Sequence, residues 1–224
     1  MIRLALETAT PWVGVALLDG ERVLAEFHEL RPMEQSTALA AAVRAVLHGA
    51  HAGLEQVEEL AVSGGPGSFT GLRVGAAFAR ALADARGIPI AAVPTALALA
   101  LGGLAGRAAA SRGRAVLAAA GGVAFCQAFE VRGGAPRAAG ELERLEYPEL
   151  ARRAAGAPGE AWVCDPGAAE RLAAGGPPAP WVWVEPRAAW VGAYAERAGE
   201  AAPAREFMPR YGHSPVFRKR ARAS

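Results

Sequence analysis

The residues best placed to do chemistry lie in the run Ser63-Gly64-Gly65-Pro66-Gly67-Ser68-Phe69-Thr70-Gly71-Leu72-Arg73-Val74-Gly75. It follows the apolar Leu60-Ala61-Val62 and opens into a stretch of Ala, Leu, Phe and Arg that suits a helix, so it reads as a strand-to-helix turn. Glycines at 64, 65 and 67 permit backbone angles closed to other residues, Pro66 stiffens the bend, and Ser68 or Thr70 is placed to cap the following helix. Such a turn can present amides to an anion. It can equally serve packing, because Gly71, Gly75 and Ala79 recur every four residues and leave a stripe where another helix approaches closely. Neither common phosphate motif is present: the Walker lysine is missing, and Thr70 stands where GxGxxG needs its third glycine.

Other reactive types are sparse. His48 and His51 are close in sequence, but Gly49 interrupts their helix and no third ligand lies nearby, so they read as solvated rather than metal-binding. Ser63 and Ser68 have no histidine beside them in sequence to activate a nucleophile. Cys126 and Cys164 lie far apart in apolar surroundings and read as buried thiols of a reducing compartment. Arg218-Lys219-Arg220-Ala221-Arg222 is a basic tail suited to phosphate contacts that are salt-sensitive and blind to base sequence.

With 224 residues, of which 52% are hydrophobic, the chain has material for one large domain or two small ones. A net charge of +2 is too small to argue by itself for nucleic acid. Lys219 is the only lysine and asparagine is absent. With no signal peptide and no apolar run long enough for a bilayer, the expected setting is soluble and cytoplasmic, with no membrane partner.

Alternating apolar residues predict strands at 2–7, 12–18 and 22–29, the last two joined by a hairpin at Asp19-Gly20. Helical spacing of Leu39, Val43, Val46 and Leu47 predicts a helix from Glu34 to Leu47. A strand at 60–63, a helix from Leu72 to Arg86 stopping at Gly87, a strand at 88–93 and a helix at 95–104 complete the first half. Gly102 to Gly113 reads as a joint. Beyond it, paired strands are expected at 116–118 and 124–131, a further strand at 141–145 and a short helix at 148–155. Strands at 162–164 and 181–184 and helices at 167–174 and 187–199 follow. The Trp and Tyr residues of the second half read as core, since alternation and helical spacing account for them.

Gly64-Gly65-Pro66-Gly67-Ser68-Phe69-Thr70-Gly71-Leu72-Arg73-Val74-Gly75 resembles the signature of the TsaB (YeaZ) family. Leu4-Ala5-Leu6-Glu7-Thr8-Ala9-Thr10, Gly14-Val15-Ala16-Leu17 and Ile90-Ala91-Ala92-Val93-Pro94-Thr95 extend the resemblance over most of the first hundred residues, while the second half matches weakly. The resemblance implies an α/β chain with the actin, hexokinase and Hsp70-like (ASKHA) fold, in two subdomains each built on a mixed sheet flanked by helices. Residues 1–104 form the first, and 105–224 form a reduced second whose last helix and tail pack back on the first.

The resemblance further implies a non-catalytic scaffold for TsaD, which makes threonylcarbamoyladenosine at tRNA position 37, with the ATP-binding TsaE joining the pair and tRNA reached through the complex. An active phosphotransferase of this fold needs an acid after the first strand and another in the matching turn of the second subdomain. Glu7 fills the first place; Ala118-Ala119-Ala120-Gly121-Gly122 fills the second, without a carboxylate. The two metal-binding histidines of TsaD relatives fall on Thr95 and Leu99. The implied chain therefore has no catalytic residues and no metal, and ATP and metal belong to its partners. Its work passes to Leu39, Ala40, Val43 and Leu47 of the first helix and Leu72, Gly75, Ala76, Ala79 and Ala83 of the second, packing either in a homodimer or in a TsaB–TsaD pair. The glycine run 64–71 is structural in this reading. An independent actin-like ATPase and a tRNA-binding module remain the alternatives.

Overall fold

A computed structural model describes residues 1–105, 111–174 and 181–210. The first half runs β1 (Ile2–Glu7), β2 (Trp12–Asp19), β3 (Arg22–Leu30), α1 (Gln35–Gly49), β4 (Glu59–Gly65), α2 (Phe69–Arg86), β5 (Ile90–Pro94) and α3 (Thr95–Leu104). The second half runs β6 (Arg112–Ala118), β7 (Val123–Arg132), β8 (Ala135–Glu146), α4 (Tyr147–Ala155), β9 (Ala161–Cys164), α5 (Pro166–Ala173), β10 (Trp181–Trp183), α6 (Ala188–Ala198) and β11 (Ala201–Ala202).

Two mixed sheets carry these elements. The first has the order β11-β5-β4-β1-β2-β3, with β1, β4 and β5 parallel and β2, β3 and β11 antiparallel to their neighbours. The second has the order β10-β9-β6-β7-β8. This is the actin/hexokinase-like fold.

Residue size alternates along the first sheet and decides what packs on each face. Leu4, Leu6, Val15, Leu17, Leu60 and Val62 point to α1 and α2. Ala5, Ala16, Ala61 and Ala91 point the other way, where small side chains let α3 and α6 come close. The approach is tight enough that a Cβ on Gly192 of α6 would lie 2.4 Å from Leu18 Cδ1. The same inner cluster takes in Ala115, Leu117, Phe125, Phe129 and Val163 of the second sheet, so α3, with eight of its ten residues buried, sits in an apolar layer shared by both sheets.

Most element positions agree with the sequence reading, with informative differences. Ser68 is the α2 cap, its hydroxyl accepting from the Gly71 amide at 3.2 Å. Gly87 ends α2 in the left-handed conformation at φ 67°. β8 spans twelve residues rather than five. Trp162 is fully buried, but Trp183 is 63% exposed and corrects the expectation that the second-half aromatics are all core. It lies on a three-residue edge strand whose Val182, with Val184 just beyond, takes the inward positions. Residues 106–110 of the joint, the run Gly175-Gly176-Pro177-Pro178 and the basic tail lie outside the described residues.

Candidate functional site

The glycine run is filled from within the chain. A Cβ on Gly67 would lie 2.2 Å from the Ala9 carbonyl oxygen, one on Gly71 1.9 Å from that of Thr8, and one on Gly75 2.3 Å from Thr8 Oγ1. Thr8 donates to the Gly71 carbonyl (2.9 Å), and the Ser68 amide donates to Ala9 O (2.6 Å). The fourfold spacing of small residues thus seats α2 against the Thr8-Ala9 turn. These contacts give the small-residue spacing a packing role, and what approaches is a turn rather than a helix.

Behind that turn lies Glu7, 1% exposed. The Thr10 amide and hydroxyl donate to Oε1 at 3.0 and 3.1 Å, and the Ser63 hydroxyl is hydrogen-bonded to Oε2. Burial pushes the Glu7 carboxyl up to about 7 against the opposing pull of these hydrogen bonds. A protonated Oε2 can donate to Ser63 Oγ and leave the Ser63 proton for the Leu6 carbonyl, 3.4 Å away. Gln35 closes the site, donating to Thr10 O at 3.2 Å.

The matching turn of the second half, Ala118-Ala119-Ala120-Gly121-Gly122, holds no acid of its own. Ala118, Ala119 and Ala120 carry no side-chain ligands, and the buried Asp165 beside them is engaged within the chain: its Oδ1 accepts from the amides of Ala118 (3.0 Å) and Ala168 (2.8 Å) as the α5 cap. Burial also raises the Asp165 carboxyl. Magnesium triphosphate, the group this fold implies, needs free carboxylates and donors on both turns. The residues present do not fit it.

Ser63 is buried against Glu7 and Ser68 caps α2, and among the described residues neither has a histidine as a hydrogen-bond partner. His48 and His51 are both exposed. Thr95, at the first position of the expected histidine pair, is buried and accepts from the Gly65 amide at 3.2 Å, and Leu99 is core. Cys126 and Cys164 are buried free thiols.

The nine helix residues proposed for a partner face divide sharply. Leu39, Val43, Leu72, Gly75, Ala76, Ala79 and Ala83 are buried in the chain's own interior, Leu47 is half-buried, and Ala40 alone is exposed. Besides Ala40, the exposed residues of α1 and α2 include Ala41, Arg44 and Ala45 with Arg73, Ala77 and Ala81, flanked by the half-buried Val74 and Phe78. The inward stripe is the apolar one, and a sequence pattern marks it most strongly because it is core.

Comparison with known proteins bears on this arrangement. The family model described as "TsaD: tRNA N6-adenosine threonylcarbamoyltransferase" matches residues 33–135. "tRNA threonylcarbamoyladenosine biosynthesis protein TsaB" of Bacillus subtilis is 34% identical over 100 residues, 45% of this chain and 44% of that protein. The protein of the same name from Haemophilus influenzae is 38% identical over 98 residues, 43% of this chain and 41% of that protein. The matched stretch spans less than half the length of these curated relatives. The structure of YeaZ from Pseudomonas aeruginosa superposes over 94% of this chain and 99% of its own, with TM-score 0.75 and 25% identity. A second crystal structure, of "an uncharacterized protein with similarity to peptidase YEAZ from Pseudomonas aeruginosa", covers 95% and 99% with TM-score 0.78 and 28% identity. The chain is thus similar to TsaB/YeaZ proteins, in sequence over somewhat less than half its length and in fold over nearly all of it. Sequence reasoning missed the partners of Glu7, of which Ser63 is 56 residues away, and the contacts of Arg80 with residues 204–208, more than 120 residues away.

Proposed function

We propose that this chain acts in threonylcarbamoyladenosine synthesis on tRNA as a non-catalytic accessory subunit that holds TsaD in a competent conformation. The observation that carries the proposal is the state of Glu7. The one acid placed as in an actin-like phosphotransferase is sealed behind the Thr8-Ala9 turn and hydrogen-bonded within the chain, while the 118–120 turn is all alanine and the Asp165 beside it commits Oδ1 to the Ala118 and Ala168 amides. The names of the relatives supply the pathway, and the match to a TsaD family model supplies a partner built on related lines.

The proposed contact is the outward face of α1 and α2, where Ala41, Ala45, Ala77 and Ala81 let a second helix pair approach closely. A homodimer of the free chain uses the same face. Docking stabilises the active form of TsaD by as much as it prefers that form. ATP and metal are bound by TsaD and TsaE, and tRNA is reached through the complex. The test is reconstitution of tRNA modification from purified components with and without this chain, beside ATP turnover by the chain alone. Modification that needs the chain, with no turnover by it, is the expected result; turnover by the isolated chain overturns the proposal.

A further inference from the structure

We infer that residues 204–210 form a latch that sets the conformation of the glycine turn, with Arg80 as the positioning residue that ties this latch to α2. The segment has little regular structure of its own: β11 before it pairs only two residues with β5, and its short 3-10 turn, Ala204–Glu206, has no side-chain cap. Three anchors hold it instead. Phe207 is buried in the α1–α2 core. Arg80 donates through Nε to Ala204 O (3.2 Å) and through Nη2 to Arg205 O (3.0 Å), and Nη2 lies 3.9 Å from Met208 Sδ. The Arg210 amide donates to the Gly64 carbonyl at 2.6 Å.

The last anchor reaches the glycine turn directly. Gly65 stands at φ 103°, and a Cβ there would lie 1.9 Å from the Arg210 carbonyl oxygen. The end of β4 is therefore clamped from two sides, by the Gly65 amide bonded to Thr95 Oγ1 and by the latch bonded to Gly64. The pairing of β4 with β5 shifts register at this point, between Ser63 and Gly65, so the strand ladder leaves the turn less constrained where the latch takes over. Arg80 lies on α2 between Ala77 and Ala81, so a molecule seated on those alanines grips the helical turn that carries the latch. This coupling to a partner rests on the function proposed above; the control of the turn by the latch does not.

Hydrogen exchange on the full chain tests the latch. Arg80→Met keeps the aliphatic stem and removes the guanidinium; amides of 204–210 and of 64–71 are expected to exchange roughly tenfold faster, with 123–132 unchanged. Arg80→Lys, able to reach one carbonyl at a time, is expected to fall between the two. Phe207→Leu, which thins the apolar anchor, is expected to speed the same two segments. Faster exchange at 204–210 with no change at 64–71, in either lesion, overturns the latch, as does no change at all. In the partner arm, Arg80→Met is expected to weaken TsaD binding several-fold although it leaves Ala77 and Ala81 in place, and equal affinity overturns the coupling. Failure of the wild-type chain to bind TsaD instead counts against the function proposed above, and the exchange result still decides the latch.

Discussion

Glu7 and Ser63, on adjacent parallel strands, are joined by a buried hydrogen bond between carboxyl and hydroxyl. The pair lies at the end of β1, and its hydrogen bonds make the acid part of the interior.

The proton balance of Glu7 should appear in stability. The unfolded chain holds this carboxyl near 4.5 and the folded chain near 7, so the folded state binds the extra proton between those values. Stability therefore falls as pH rises through that window, by up to about 3 kcal/mol. Glu7→Gln carries no charge at either end. Denaturant titrations from pH 5 to pH 8 should show a declining stability for the wild type and a flatter profile for the variant, which becomes the more stable of the two at pH 8.

On α2, inward and outward substitutions should separate folding from pairing. Ala79 is fully buried and Gly75 abuts Thr8, so Ala79→Leu overpacks the core and costs about 1–3 kcal/mol, and Gly75→Leu costs at least as much. Ala77→Arg and Ala81→Arg leave stability within about 0.5 kcal/mol and abolish pairing through this face. Thermal unfolding combined with sedimentation in the presence and absence of TsaD distinguishes the two classes.

Arg3 ties β1 to β4 and to α6. It is 2% exposed, with Nε 2.5 Å from Glu59 Oε1, Nη1 2.7 Å from Glu196 Oε2, and Nη1 3.5 Å from the Gly192 carbonyl. Arg3→Met leaves Glu59 buried beside an apolar chain and should cost roughly 3–5 kcal/mol, read from the denaturant midpoint. Adding Glu59→Met removes the stranded charge and should recover more than half of that loss.

Burial pushes the Cys126 thiol up and that of Cys164 up to about 12, so neither is a thiolate at neutral pH. A thiol-specific disulfide reagent should label neither cysteine in the native chain and both after denaturation. Labelling of the native chain at the rate of a free cysteine would contradict the packing around Cys126 and Cys164.

The fold was legible where the sequence states a local requirement. Ala5, Ala16 and Ala61 alternating with Leu4, Leu6, Leu17 and Leu60 mark strands, and Ser68 and Gly87 mark the two ends of α2. The candidate site was legible only in part. Gly67, Gly71 and Gly75 announce that something approaches closely, but not that it is Thr8 and Ala9, because contact across some sixty residues leaves no periodicity in the chain. Leu39, Val43 and Ala79 illustrate the same limit, since an apolar stripe looks alike whether it meets its own sheet or another protein. Arg80, bonding carbonyls of residues 204 and 205, carried no signal because backbone acceptors have no sequence identity.

The most direct measurement is threonylcarbamoyl transfer to tRNA by purified TsaD and TsaE, supplemented with the wild-type chain or with its Glu7→Gln variant. The account predicts full modification with either form and none without the chain, since the Glu7 carboxyl serves the interior and not a reaction. Loss of modification with a folded, TsaD-binding Glu7→Gln chain would contradict it.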